Sequence, residues 1–582
     1  AVTVVCWLTG LGLLAQKFRH RWRVQLAVLI PVALLWPFVV VGTLQYRKIL
    51  GSDPPPSMAM LLIRNPRYGL ATMSASVETQ HVLGIVAVPF LLCFGLWYLV
   101  RNGHWLPPPP LMQRLGFVLA LSVALWANFR GGLRVPPDVQ GLAVLAGGTL
   151  LRVFDGRYLE KPRRVPVAAA PMARERPDIY LLIHESVSPS MWRPWTTNPD
   201  ASPLLADFLA AHSRCGTWFP ETVAASSSTH VSVPSILTGL NADAPKADYL
   251  TAPVLWQEAR TLGYTTALLS TQSFNEEGFP QFFLQVDLPN DHKVANDFPN
   301  ARKTVDNGVA DEAGVDAAMH IIVQAPRDQP LLMVLQFNGT HEPCVDPTET
   351  QTPSFIHDWS VINRRCERAA QHLVGLMAQL FRHIEKTRSL NRAVVIGTSD
   401  HAEPGFRPGR PTRVESYYEE ALRVPMFAVL PDNLCAAHPE WRNALQTNRT
   451  LRTSNMDIYP TILDIWGRWP LSPGRPRMGG SSLLGPIAPD RPLVAANSTE
   501  IRAWSREGFA LYHGRYKWLV DWKGVSLFDL ASDADERSSI AANAPPSETA
   551  FLKQELANRP PLLRRILDQS LAASRSARTT LF

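Results

Sequence analysis

Two stretches of the chain carry no formal charge over a length that spans a bilayer: QLAVLIPVALLWPFVVVGTLQ at 25–45 and HVLGIVAVPFLLCFGLWYLV at 81–100. At about 1.5 Å per residue, a helix of either length crosses a hydrocarbon layer of about 30 Å. Lipid offers no partners to backbone N–H and C=O groups, so these segments are expected as helices. Residues 1–16 and 111–128 are shorter or more broken, but both are apolar and flanked by basic residues. Together they predict a transmembrane helical domain over 1–130, with spans near 1–16, 24–45, 81–100 and 111–128. The alternative, buried core helices of a soluble domain, would have to house both long uncharged runs within the first 100 residues.

The motif KFRHRWR at 17–23 holds four Lys/Arg in seven residues and marks a cytoplasmic turn by the positive-inside rule. No small-residue cleavage site follows 1–16, which separates it from a signal peptide. Loop 46–80 then lies outside, although it also carries four Lys/Arg. Segment 101–114 lies inside, and the chain after 129 lies on the outer face. A further helix upstream of Ala1 would place the N-terminus in the cytoplasm. Residues 131–177 are expected as an interfacial helix (136–153) and a Pro/Arg/Ala linker, KPRRVPVAAAPMARERP at 161–177. Net charge is only +7 in 582 residues, too dispersed to imply nucleic acid and equally suited to an anionic membrane surface.

From Asp178 the pattern changes to short apolar runs separated by helical periods. DIYLLIHES (178–186), TTALLST (265–271), QPLLMVLQFNGTH (329–341), RAVVIGTSDH (392–401) and VPMFAVLP (424–431) are predicted strands. Helical stretches at 252–264, 311–325 and about 357–386 lie between them. This alternation predicts an α/β/α domain, a parallel or mixed sheet covered on both faces. Ligands in such sheets collect at the C-terminal strand ends, where Glu185, Gln272, His341, Asp400 and His401 fall. Glu185, Asp400 and His401 form an O/O/N set that suits tetrahedral Zn²⁺ and also fits Mn²⁺. A fourth ligand is expected from ETVAASSSTHVSVPSILTGL (221–240), where a Ser/Thr cluster runs into a helical pattern. Such clusters commonly serve as plain N-caps. A hydroxyl there beside a cation would instead become a nucleophile toward phosphorus or sulfur, with backbone N–H groups behind it to receive anionic oxygens.

These residues resemble, in order, the motifs of the alkaline phosphatase/sulfatase superfamily, and most closely its membrane-bound phosphoethanolamine transferases. The resemblance covers nearly the whole chain and implies a sulfatase-like periplasmic catalytic domain over 178–582 behind a membrane domain. THVSVP matches the family's T-x-V-S-V-P and implies Thr229 as nucleophile and metal ligand. LLIHES implies Glu185, and SDHAE (for SDHGE, with Ala402 in place of Gly) implies Asp400 and His401 as metal ligands. GTH at 339–341 implies His341 near the transferred phosphate, as catalytic acid/base or phosphate donor. The formylglycine motif C-x-P-S-R is absent, which disfavours ordinary sulfate hydrolysis, while SLFDLASDADERSSIA (526–541) resembles a sulfatase ending. Loop 46–80 resembles the family's donor-headgroup helix at Ser74 and Glu78, with Leu70 departing from the pattern. The family's second downstream His is replaced by Arg407, Arg410 and Arg413, of which Arg410, with Gln272, is a candidate substrate-binding residue.

The implied function is transfer of phosphoethanolamine from phosphatidylethanolamine, through a phospho-threonine intermediate, to lipid A, a core sugar or another envelope glycan. The implied location is the bacterial inner membrane, multi-pass, with the catalytic domain in the periplasm. A phosphoglycerol transferase using phosphatidylglycerol, and a non-catalytic sulfatase-like membrane protein, remain alternatives. Cys6 and Cys93 lie in predicted spans, leaving Cys215, Cys344, Cys366 and Cys435 with three possible pairings. Cys344–Cys366 closes the shortest loop and is the expected bridge.

Overall fold

A computed structural model describes residues 164–167, 176–189, 191, 215–274, 288–304, 308–341, 344–348, 359–402, 416–470, 478–497, 508–521, 524–561 and 563–568. The chain divides into two compact units, and every described residue belongs to the second, 157–407 with 411–570. The predicted spans, the 131–160 segment, Ser74, Glu78 and Arg410 lie outside the described residues. Among the described residues, no helix is long and apolar enough to cross a membrane.

The core sheet runs β2 (Gly216–Trp218), β9 (Met426–Val429), β7 (Ala393–Ser399), β1 (Asp178–His184), β6 (Leu331–Gln336), β4 (Thr265–Ser270), β5 (Asp291–Lys293). From β7 to β5 the neighbours are parallel, while β9 and β2 add an antiparallel edge. The apolar runs predicted β1, β4, β6, β7 and β9 because a strand covered on both faces needs apolar side chains at every position. β1 shows this directly. Ile179, Leu181 and Ile183 pack with Val233, Ile236 and Leu237 of helix α1 (Thr229–Thr238). Tyr180 and Leu182 face the other way, onto α2 (Asp311–Gln324) and α3 (Trp359–Thr387) through Val315, Ile322, Met377 and Phe381.

Helices α2 and α3 are joined on their outer side by Glu312 and His372, whose Oε1 and Nε2 lie 2.8 Å apart. The hydrogen bond to Glu312 holds His372 above its usual value, and the same bond holds Glu312 below its own. Charges on Asp311 and Arg302 also reach His372. A raised imidazole contributes stability below its unfolded value of 6.5 and loses it as pH rises through the folded value. A depressed carboxyl contributes above 4.5 and loses it as pH falls through the folded value. The pair therefore stabilises most between those limits. His372→Ala is expected to lower unfolding stability there by less than about 1 kcal/mol, because both groups are partly solvated, and to change nothing in alkaline buffer. Equal losses at both pH values in urea titrations would refute the pairing.

A second, antiparallel sheet, β11 (Leu493–Ala496), β12 (Phe509–His513), β13 (Tyr516–Asp521), β14 (Gly524–Asp529), follows in sequence. One face packs Phe509, Leu511, Trp518 and Leu527 around Ala225, Val231 and Met456, next to the start of α1. A small sheet of β10 (Thr453–Ser454), β3 (Thr222–Val223) and β8 (Arg423–Val424) fixes the approach to α1. Two disulfides are present among the described residues. Cys344–Cys366 is the expected bridge. Cys215–Cys435 joins residues 220 apart, one beside β2 and one beyond β9, which are sheet neighbours.

Candidate functional site

The end of β1 sets the first carboxylate. Glu185 follows the last strand residue and is 1% exposed. Ser186 then turns with φ of 60°, a left-handed conformation unusual for a residue with a Cβ. That turn sends the Ser186 N–H to Asp400 Oδ1 at 3.1 Å, while Ser186 Oγ donates to Glu185 Oε1 at 2.9 Å. Behind Glu185, His184 is fully buried and stacks on Phe337 with ring centres 5.0 Å apart. Burial pushes its imidazole down to about 3, so it enters as a neutral aromatic wall.

Strand β7 runs beside β1 and delivers the second carboxylate and the imidazole from its own end. Ser399 Oγ accepts the Val187 N–H at 2.8 Å and donates to the His184 carbonyl at 2.9 Å, which locks the two strand ends together. Asp400 Oδ1 also accepts the His401 N–H at 2.7 Å. Helix α1 adds the hydroxyl. Its N-cap Ser228 is extended (φ −135°, ψ 131°), so Thr229 is the first helical residue and points from the helix N-terminus. Thr229 Oγ1 lies 3.1 and 3.2 Å from the two Glu185 oxygens, to which it donates, and 3.2 Å from His401 Nε2. His401 Nε2 is in turn 3.3 Å from Glu185 Oε1 and 3.5 Å from Asp400 Oδ2.

The four residues proposed from sequence as ligands thus meet in one buried cluster. Ligand atoms of Glu185, Asp400 and His401 lie within 4.8 Å of one another. Two observations test whether a cation fits there. Asp400 Oδ2 is buried and accepts no hydrogen bond. Burial first, and the Glu185 charge second, push the Asp400 carboxyl up to about 7. An orphaned oxygen beside a second carboxylate is costly unless positive charge joins them, so the residues fit a divalent cation.

Gln272 stands at the rim, its Nε2 3.5 Å from Glu185 Oε2 and its Oε1 accepting from Gln336 Nε2 at 2.6 Å. His341 lies in the loop after β6, and neighbouring Thr340 Oγ1 donates to the Glu185 carbonyl at 2.5 Å. That loop is held from three sides. Asp311, at the start of α2, accepts the N–H groups of Asn338 and Gly339, both at 2.9 Å, and the Thr271 hydroxyl at 2.5 Å. A side chain at Gly339 would collide with the Asp311 carboxylate. Cys344 N–H donates to the His341 carbonyl at 2.7 Å, and the disulfide carries the loop to α3.

Two positions important for this geometry had no signal in the sequence, Asp311 and Asn455. Asn455 Nδ2 is within 3.1 Å of Ser232 Oγ on α1 and 3.2 and 3.1 Å of the Ser399 and Asp400 carbonyls. Its Oδ1 accepts the Ala225 N–H at 3.0 Å. One fully buried amide thus fastens the hydroxyl-bearing helix to the carboxylate-bearing strand. Asn455→Ala is expected to cost about 2–3 kcal/mol, since it strands buried partners. Chemical denaturation will measure it, and a loss near zero would remove Asn455 from this role.

A mixed α/β sheet with hydroxyl, carboxylates and imidazole gathered at its C-terminal strand ends is the arrangement of the alkaline phosphatase/sulfatase superfamily. The chain belongs to the sulfatase family, whose model matches residues 177–467, half of its length. Among curated proteins it is similar to arylsulfatase K of Danio rerio, 27% identical over 189 residues, covering 29% of this chain and 32% of that protein. The Bos taurus arylsulfatase K is 27% identical over 202 residues, covering 31% and 33%. The chain thus spans about a third of the length of these relatives. Among solved structures it is similar to the integral membrane protein lipooligosaccharide phosphoethanolamine transferase A of Neisseria meningitidis. The TM-score is 0.54 at 14% identity, covering 78% of this chain and 89% of that one, a likeness of fold.

Proposed function

We propose that this protein transfers phosphoethanolamine from phosphatidylethanolamine to an envelope glycolipid or glycan. The observation carrying this reading is the Thr229 hydroxyl, aimed from a helix N-terminus into a buried acid–imidazole cluster. Sulfate-ester hydrolysis in the formylglycine manner needs Cys or Ser at that position, and threonine does not serve. A divalent cation such as Zn²⁺ or Mn²⁺, held by Glu185, Asp400 and His401 with Thr229, would acidify the hydroxyl and offset charge on the phosphoryl oxygens.

Thr229 Oγ1 attacks phosphorus as its proton passes to the Glu185 carboxylate that already accepts its hydrogen bond. The bond from phosphorus to the diacylglycerol oxygen breaks, and that oxygen takes up a proton, for which His341 is the candidate donor. Backbone N–H groups at the start of α1 receive the phosphoryl oxygens. In the second half, an acceptor oxygen attacks phosphorus, a hydroxyl acceptor giving its proton to His341 (left deprotonated by the first half). The bond from phosphorus to Thr229 breaks, and the threonine oxygen regains its proton from Glu185. Ser74 and Glu78 bind the donor headgroup, Arg410 engages the acceptor, and Gln272 contributes to substrate binding. The predicted spans would hold the protein in the bacterial inner membrane with this domain in the periplasm, bringing donor lipid to the site.

The test is donor choice. Purified full chain, supplied separately with headgroup-labelled phosphatidylethanolamine and phosphatidylglycerol, is expected to take label on the peptide containing Thr229 from the first alone. Label from phosphatidylglycerol would establish the phosphoglycerol alternative. Label from neither, with the cation bound, would leave a non-catalytic scaffold.

A further inference from the structure

At the opposite end of the core sheet, a cavity of about 460 Å³ opens where the chain enters β1 from its linker. Its lining includes Arg176, Arg327, Arg388 and Arg392, against Asp178 and Asp328. These residues sit at the N-terminal ends of β1, β6 and β7, about 20 Å along the strands from Glu185 and Asp400.

The arginines divide into two kinds. Arg388 is a structural pin, 5% exposed in its side chain. Its Nε and Nη2 grip Asp178 Oδ2 and Oδ1 at 2.8 and 3.1 Å, and its remaining donors reach the carbonyls of Ala325, Pro326 and Gln329. Asp178 is thereby neutralised and also accepts the Leu331 N–H at 2.8 Å. Arg176 spends one donor on the Leu262 carbonyl at 3.1 Å. The side chains of Arg327 and Arg392 are exposed and form no hydrogen bond or ion pair with the described residues, and the Asp328 side chain forms none with them. Once the Arg388–Asp178 pair is set aside, three cations face one anion across a space large enough for a small ligand.

We propose that this cavity is an anion-binding site, separate from the catalytic cluster, that takes a phosphate group through the guanidinium forks of Arg327 and Arg392, with Arg176 behind them. Guanidinium forks pair with phosphate oxygens two at a time, and the lining is mainly polar. The phosphate has two sources, a free phosphorylated compound or the headgroup of an anionic lipid. The site does not depend on the transfer reaction proposed above.

The experiment titrates full-chain protein in detergent with inorganic pyrophosphate and with short-chain phosphatidic acid, following heat. An Asp400→Asn background, freed of divalent cations by chelation and dialysis, removes cation-mediated anion binding at the catalytic cluster. Saturable binding is expected, weakened at least tenfold in R327Q/R392Q, while unfolding temperature and, in an otherwise wild-type chain, turnover stay unchanged. Binding of both probes supports a site that reads phosphate alone; binding of phosphatidic acid only supports a lipid headgroup. Absence of saturable binding, or equal binding by R327Q/R392Q, would overturn the proposal.

Discussion

Thr229→Ala is expected to lower group transfer by at least about 10⁴-fold, as losses of a nucleophile do in other covalent enzymes, and to abolish the labelled enzyme intermediate. The hydroxyl stands at a helix N-terminus with both Glu185 oxygens and the His401 imidazole at 3.1–3.2 Å, groups that can take its proton as it bonds to phosphorus. Thr229→Ser keeps that oxygen but loses the methyl group that limits its rotamers, so it should retain adduct formation at reduced rate. The pair of variants separates chemistry from folding. Both should unfold at nearly the wild-type temperature, because α1 is held to β1 by Val233, Ile236 and Leu237, which neither change touches. A labelled intermediate surviving in Thr229→Ala, located by peptide mass spectrometry, would move the nucleophile elsewhere.

Asp400→Asn carries the second large effect, and its two consequences have opposite signs. Divalent-cation affinity is expected to fall by more than about 100-fold, since even residues that only orient a ligand are worth up to that. Transfer activity should fall with it. Yet the metal-free variant should be more heat-stable than the metal-free wild type. The Asp400 oxygen that accepts from Ser186 and His401 survives as an amide oxygen, whereas the buried charge opposing Glu185 disappears. Relief of about 1 kcal/mol in a domain of this size raises the midpoint by a few degrees. Calorimetry after chelation will show it. A lower midpoint for the metal-free variant would mean that the two carboxylates do not strain the empty cluster.

The parallel heart of the sheet was legible in the sequence because strands buried on both faces announce themselves as unbroken apolar runs. β1, β4, β6 and β7 follow that rule, and the polar residues at their C-terminal ends converge. Composition is silent on strand direction, so nothing in VPMFAVLP distinguished the antiparallel β9 from its parallel neighbours. The second disulfide was hidden for a related reason. Cys215 and Cys435 meet only because β2 lies against β9, a consequence of topology and not of spacing. The β11–β14 sheet left only a sulfatase-like ending as a trace. Its strands are short, and one of its apolar faces exists to cover the start of α1. Glu185, Asp400 and His401 could be named beforehand from their chemistry at strand ends, and Thr229 from the resemblance of THVSVP to a family motif. Asp311 and Asn455 could not, since they act on backbone groups, and any residue can supply a backbone group.

The distance along the chain between α1 and its partners has a bearing on biosynthesis. His401 comes 172 residues after Thr229, and Asn455 comes 223 after Ser232. At ribosomal speeds that interval lasts on the order of ten seconds or more. Throughout it, the nascent polypeptide exposes an ordinary alcohol with neither its imidazole nor its clamp. A product cut short before residue 401 lacks the imidazole, and one cut short before 455 lacks the clamp.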